Sequence, residues 1–323
     1  MFPDTGTGQA GRRIRDRGST GAGEVDLFDL VQFAINGMSI GCIYGLVALG
    51  FVLIYKATEV VNFAQGDLMM VGAFLAFTII SLWGLPYWVA FLLAPAGMFL
   101  IGGTLDRFVL RPVLGQPQFA IVMVTIGLGF VLRSVAGMVP GWGTETYAIE
   151  TPFSKEGLAL IPESVGKLVI SEQDLSVIVA TAALCLLLYL FFRHTRIGVA
   201  MQAASQNQLA AYYMGVPVKL VFSMIWGISA AVAGIAGILL APTTLIDTNM
   251  GFLALKAFPA AVLGGFGSIP GAVVGGLIIG IIESFAGFYA PPGVKDVAAY
   301  VVLLLVLMLR PQGLFGEKTR KKV

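Results

Sequence analysis

Long apolar runs alternate with short polar breaks along almost the whole chain. The runs cover roughly residues 27 to 55, 67 to 82, 86 to 110, 119 to 139, 174 to 193, 218 to 241, 270 to 289 and 297 to 310. Stretches of about 18 to 25 apolar residues are long enough to cross a hydrocarbon core of roughly 30 Å as a helix. The pattern therefore predicts an all-α integral membrane protein with about eight transmembrane helices. Two shorter apolar pieces, near 57 to 65 and 252 to 264, each end in a glycine-containing turn, NFAQGD at 62 to 67 and GGFGSIPG at 264 to 271. They are too short to cross alone and are expected to be broken or re-entrant helices.

One polar island interrupts the second half: RHTRIGVAMQAASQNQLAAYYMGVPVK, residues 193 to 219. Its alanines favour helix, Gly215 is placed to end one, and Pro217 follows where it no longer interrupts. Arg193, His194, Arg196 and Lys219 flank it, and basic residues beside spans mark the cytoplasmic side. Two readings stand at this point: an ordinary connection between spans, or a small-residue surface on which a partner docks.

Charge placement tests the order of crossings. With the Arg-rich start of the chain inside, eight simple crossings put Arg107 and Arg111 outside and reverse the polar island. If each short piece instead dips in from outside, the basic groups at 107, 111, 193, 196 and 318 to 322 fall inside, and the acidic loop at 140 to 173 falls outside. Both termini are then expected to be cytoplasmic. The halves also look alike, as two parallel repeats at about 27–139 and 218–316: Gly66 precedes the Arg111 of VLRPVLG by 45 residues, and Gly267 precedes the Arg310 of MLRPQGLFG by 43. Internal repeats are a recurrent transporter design, with the pathway near broken helices.

Composition agrees with this class: 57% hydrophobic residues, 12% charged and a mean hydropathy of +0.88. Residues 1–26 read as a disordered Arg/Gly-rich tail, and 317–323 as a basic tail. The tail contains a literal G-x-G-x-x-G at 6 to 11, with neither the strand nor the helix that gives that motif meaning. Cys42 and Cys185 lie in apolar runs, so no disulfide framework and no metal set is visible. There is no P-loop, so ATP, if it drives transport, must be bound by another subunit. No cofactor and no nucleic-acid partner is expected.

Several residues are candidates for a translocation pathway. Asn62, Gln65 and Asp67 place polar groups at membrane depth, where they need partners or a wet cavity. Gly264, Gly265, Gly267 and Ser268 form the second turn, suited either to close helix packing or to lining a cavity. Arg133 and Glu283 lie inside spans and Lys256 begins the second short piece; each either meets a charged end of a zwitterionic solute or sits at an interface, Arg133 by snorkelling outwards. Only Asp67 and Glu283 offer the titratable groups that an ion-coupled secondary transporter needs.

Three stretches, YGLVALGFVLIYKATEVVNFAQGDLMMVGAF, RIGVAMQAASQNQLAAYYMGV and KAFPAAVLGGFGSIPGAVVGGLIIGIIE, give the chain a specific resemblance over about 28 to 316. It resembles the permease subunits of branched-chain amino acid ABC importers of the Liv type, most closely the first permease of the pair. That resemblance implies a bacterial inner-membrane subunit without catalysis of its own. Its partners would be a second permease, two cytoplasmic ATPases, a periplasmic binding protein and a small amino acid substrate. Related permeases carry urea or amides. The loop at 194–217 would be the coupling segment for the ATPase, with Arg196, Gly198, Gln202, Ala203, Asn207, Ala211 and Gly215 as its residues. Gln202 stands where the family usually has arginine.

Overall fold

A computed structural model of the chain describes residues 27–113, 115–143, 145–154, 157–159, 168–291 and 293–316. The tails expected at 1–26 and 317–323, with Glu156 and Glu163 of the acidic loop, lie outside the described residues.

The helices are α1 (Leu27–Thr58), α2 (Gln65–Phe77, continued by a π-turn Thr78–Leu82), α3 (Tyr87–Leu105, continued through Asp106–Leu110 and Arg111–Val113) and α4 (Gln118–Met138). After them come α5 (Glu172–His194), α6 (Arg196–Gln206), α7 (Gln208–Tyr213) and α8 (Val218–Thr244). A 3-10 segment, Met250–Lys256, runs into α9 (Ala257–Gly264), and α10 (Ile269–Tyr289) and α11 (Val294–Leu309) complete the set. Two three-residue strands, β1 (Gly157–Ala159) and β2 (Val169–Ser171), pair antiparallel in the acidic loop. Among the described residues, seven helical segments are long and apolar enough to cross a membrane. The last expected span is α11, at 16 residues about 24 Å long. The chain is an all-α, multi-pass membrane protein.

Hydrogen bonds fix which ends share a face. Gln32, near the start of α1, donates to the Val169 carbonyl at 2.7 Å and accepts from the Val169 amide at 2.9 Å, so α1 begins beside the acidic loop. Its other end meets the polar island, where Gln208 Nε2 donates to the Ala57 carbonyl at 3.2 Å. α2 rises back to the acidic-loop face, where Trp142 Nε1 donates to Thr78. α3 descends to the island, where Arg111 donates to the Lys219 carbonyl at 3.0 Å. α8 rises, pairing Ile246 with Tyr147, Met250–Gly264 descends, and α10 rises again until Ser284 bonds the Phe33 carbonyl. α11 then descends, and the Leu314 amide bonds the Leu263 carbonyl.

This corrects the expected order of crossings in one place. α1 runs from the acidic-loop face to the island face, opposite to the direction that an entry on the island side requires. The end of α11 is on the island face, whereas α1 begins on the other; the termini expected to be cytoplasmic lie outside the described residues. The cause is local: the first short piece, 57 to 65, is not a helix of its own. Ala57 and Thr58 complete α1, the backbone turns at Glu59 with φ of 55°, and residues 59 to 64 are irregular. Asn62 Oδ1 accepts the Ala64 amide at 3.1 Å, a local bond that competes with helix. The second short piece is a 15-residue descending segment. The spans that open the two expected halves, α1 and α8, therefore run in opposite directions and are not equivalent. α2 and α3 do keep the directions of α10 and α11.

α1 is the central post. Gly37, Gly41 and Gly45 lie four residues apart on its face towards α10, whose Gly276 and Gly280 meet them. A Cβ at Gly280 would fall 2.4 Å from the Gly41 backbone, and one at Gly41 2.8 Å from Leu277 Cα. Small residues let the two backbones touch, the usual basis of close helix packing in lipid.

Candidate functional site

The polar island folds as two short helices. Thr195 caps α6, its hydroxyl accepting the Gly198 amide at 2.9 Å, and Asn207 caps α7 by accepting the Ala210 amide at 2.9 Å. Each short polar side chain satisfies one of the amides that a helix start leaves unpaired. Gly198 is buried because α6 folds back on the end of α5: a Cβ there would lie 2.3 Å from the Phe191 carbonyl oxygen. Gln202 bonds the Phe192 carbonyl at 3.2 Å. Arg196 and Ala203 are exposed, and Gly215, with φ of 81°, ends α7. Ala211, by contrast, is 5% exposed and belongs to the protein's own core.

What the sequence pattern missed is the outward face of this segment. Ile197, Val199, Leu209, Tyr212, Tyr213 and Met214 are all exposed, Met214 at 84%. A groove of about 570 Å³ runs beside α7 between Leu209, Tyr212 and Pro217. Such apolar exposure beyond a membrane span marks an interaction surface. The consecutive Tyr212, Tyr213 and Met214 at the end of an Ala-rich helix were the available signal.

The two turns lie near each other, bridged by Phe258, whose ring is 5.8 Å from Phe63 and 5.7 Å from Phe266. Asn62 and Gln65 are fully buried. Gln65 Nε2 donates to the Ser229 carbonyl at 3.3 Å, while Ser229 Oγ, donating to the Gly50 carbonyl at 2.9 Å, lies 3.1 Å from Gln65 Oε1. Ser229, one of two serines in an apolar run, was not singled out by the sequence. At the second turn Gly264 abuts Gly271, and Ser268 caps α10 by accepting the Gly271 amide. Gly265 takes φ of 95° against Gln312 and Gly316. Gly267 has no such backbone and faces open space. It edges a crevice of about 790 Å³ between α5, α6 and α10, with Lys56 and Arg193 among its lining.

The intramembrane charges are paired. Arg133 Nη2 and Nε donate to Asp67 Oδ1 at 2.7 and 3.3 Å, and the guanidinium carbon stands 3.9 Å from the centre of the Phe252 ring. Glu283, only 2% exposed, accepts from Lys256 Nζ at 3.0 Å, and Lys256 also reaches Asp296 at 2.7 Å. This second cluster is nearer the acidic-loop face and apart from both turns. Among the described residues no group of three His, Cys, Asp or Glu is arranged to hold a metal.

Residues 33–307 match the family described as branched-chain amino acid transport system / permease component. The permease protein LivH of the high-affinity branched-chain amino acid transport system of Salmonella typhimurium is 32% identical over 91% of this chain and 97% of its own length. The corresponding BraD of Pseudomonas aeruginosa is 31% identical over 92% and 99%. A probable branched-chain amino acid permease protein LivH of Methanocaldococcus jannaschii is 28% identical over 85% and 89%. A helical membrane chain with an apolar platform on one face, matched along nearly its whole length by these permeases, belongs to the family of branched-chain amino acid transport system permease components.

Proposed function

We propose that this chain is the non-catalytic permease subunit of an ATP-driven importer of branched-chain or related amino acids in a bacterial inner membrane. A second permease completes the pathway, two ATPases dock on the α6–α7 face, and a periplasmic binding protein delivers substrate to the opposite face. The observation that carries this reading is the platform itself: Ile197, Val199, Ala203, Leu209, Tyr212, Tyr213 and Met214 stand exposed outside the spans, ringed by Arg193, Arg196 and Lys219. Basic residues put that face in the cytoplasm, which puts the entry to α1 outside and the end of α11 inside. A secondary transporter fits less well, because Asp67 and Glu283, the groups it needs, are held by Arg133 and Lys256.

The test is purification of the complex through a tag on this chain from its native membrane. ATPase activity and two copies of a nucleotide-binding subunit per permease pair are expected. A homogeneous, leucine-transporting preparation without any ATPase would refute the proposal.

A further inference from the structure

The Asp67–Arg133 pair is built differently from an enclosed structural ion pair. Asp67 comes from the first turn of α2, which starts within the membrane, and Arg133 from α4. Their side chains keep 8% and 18% exposure, towards a cavity of about 190 Å³. The remaining walls are apolar: Phe63, Ile126, Phe130, Phe252 and Leu255. Besides Arg133, glycine backbone closes on the carboxylate: a Cβ at Gly129 would fall 2.3 Å from Asp67 Oδ2 and one at Gly251 2.6 Å from Oδ1. Both Arg133 bonds go to Oδ1. Among the described residues no hydrogen bond engages Oδ2 or the Nη1 of Arg133, so both keep hydrogen-bonding capacity, and both residues line the cavity.

We infer that this cavity is a binding station for the zwitterionic head of an α-amino acid during its passage, with Asp67 taking the ammonium, Arg133 the carboxylate, and the aromatic wall the aliphatic side chain. The inference rests on the permease reading above and names where that permease holds its substrate. The chemistry of the site supports it on three counts. Charges at this depth are costly unless they face protein or a wet cavity, so the face carrying Phe130 and Phe252 is the pathway side of the subunit. A guanidinium recognises a carboxylate through two parallel bonds, and its second edge is available. The cavity lies below the roughly 300–1,000 Å³ of pockets for drug-sized ligands, which suits one small solute. In the empty station the two side chains neutralise each other; an incoming zwitterion exchanges one ion pair for two, so neither charge is left bare.

The experiment is uptake of labelled leucine by the purified complex in vesicles, comparing wild type with the double variant Asp67→Asn/Arg133→Gln. That change is isosteric at Asp67, shortens the side chain at position 133 while keeping it polar, and leaves no unpaired buried charge. A purely structural pair tolerates such neutralisation, and uptake would then stay within about twofold of wild type, which would overturn the proposal. As a station it loses at least one charge-assisted bond to the ligand, and uptake falls by about tenfold or more while the complex still assembles. If the double variant fails to assemble, Ile126→Trp decides: it narrows the cavity while both charged residues stay in the chain, and an assembled complex with unimpaired leucine uptake would overturn the assignment. Wild-type vesicles that do not take up leucine with ATP would refute the permease reading instead, which separates the two failures.

Discussion

Ala203 and Ala211 lie on the same two-helix segment but have different fates. Ala203 faces outward, whereas Ala211 is buried against its own subunit. Ala203→Glu therefore leaves the permease folded and puts an unpaired carboxylate into the docked interface, at a cost of several kcal/mol. At about 1.4 kcal/mol per decade, ATPase affinity should fall by two or more decades, read as loss of co-purification at unchanged permease yield. Ala211→Glu should instead lower the thermal stability of the isolated permease; equal effects of the two changes would remove the distinction. The glycine turn divides in the same way. Gly265 needs φ of 95° and meets Gly316, so Gly265→Leu should cost about 1–3 kcal/mol or more, seen as reduced yield of folded protein. Gly267→Leu only enters the crevice and should fold normally. The sequence showed a small-residue helical island and a flexible turn. It did not show which alanine is taken inside or which glycine bears the strain, because burial of Ala211 depends on how α7 folds against α6 and α8, and Gly316 reaches Gly265 from far along the chain.

At the scale of elements, the seam between α1 and α10 holds the fold together. Gly41 and Gly280 are in backbone contact, and a side chain at either must push two central helices apart. Overpacking usually costs about 1–3 kcal/mol, more where backbone is the obstacle. Gly280→Leu should lower the melting temperature of the detergent-solubilised permease and broaden its gel-filtration profile; a wild-type melting curve would show that the seam is loose. The apolar runs made the spans themselves legible. The short pieces were not, since a run of about eight apolar residues reads the same as a helix end, a loop or a broken helix. Residues 57 to 65 turned out to be the last turn of α1 and an irregular bend tied by Asn62, and the direction of α1 reversed with them. The polar contacts that cross between elements, Gln65 with Ser229 and Arg133 with Phe252, join residues more than a hundred positions apart. No local pattern encodes them.

For the whole molecule, the direction of α1 sets the sidedness. In a variant lacking Cys42 and Cys185, cysteines at positions 29 and 154 should label from the periplasmic side, and one at 316 from the cytoplasm; labelling of 29 and 316 from one side would contradict the fold. The polar island and the acidic loop were placed on opposite faces from charge alone, and the structure keeps them there, because α5 joins the two directly. On the proposed function, solute crosses this chain only when ATP is hydrolysed by subunits seated on α6 and α7. The most direct measurement is labelled-leucine uptake into vesicles carrying the purified complex, with ATP on the α6–α7 side, binding protein on the other, and ionophores present. Accumulation that requires both ATP and binding protein and is unaffected by the ionophores is the predicted result. Accumulation by this chain alone, driven by an ion gradient and abolished by the ionophores, would contradict it.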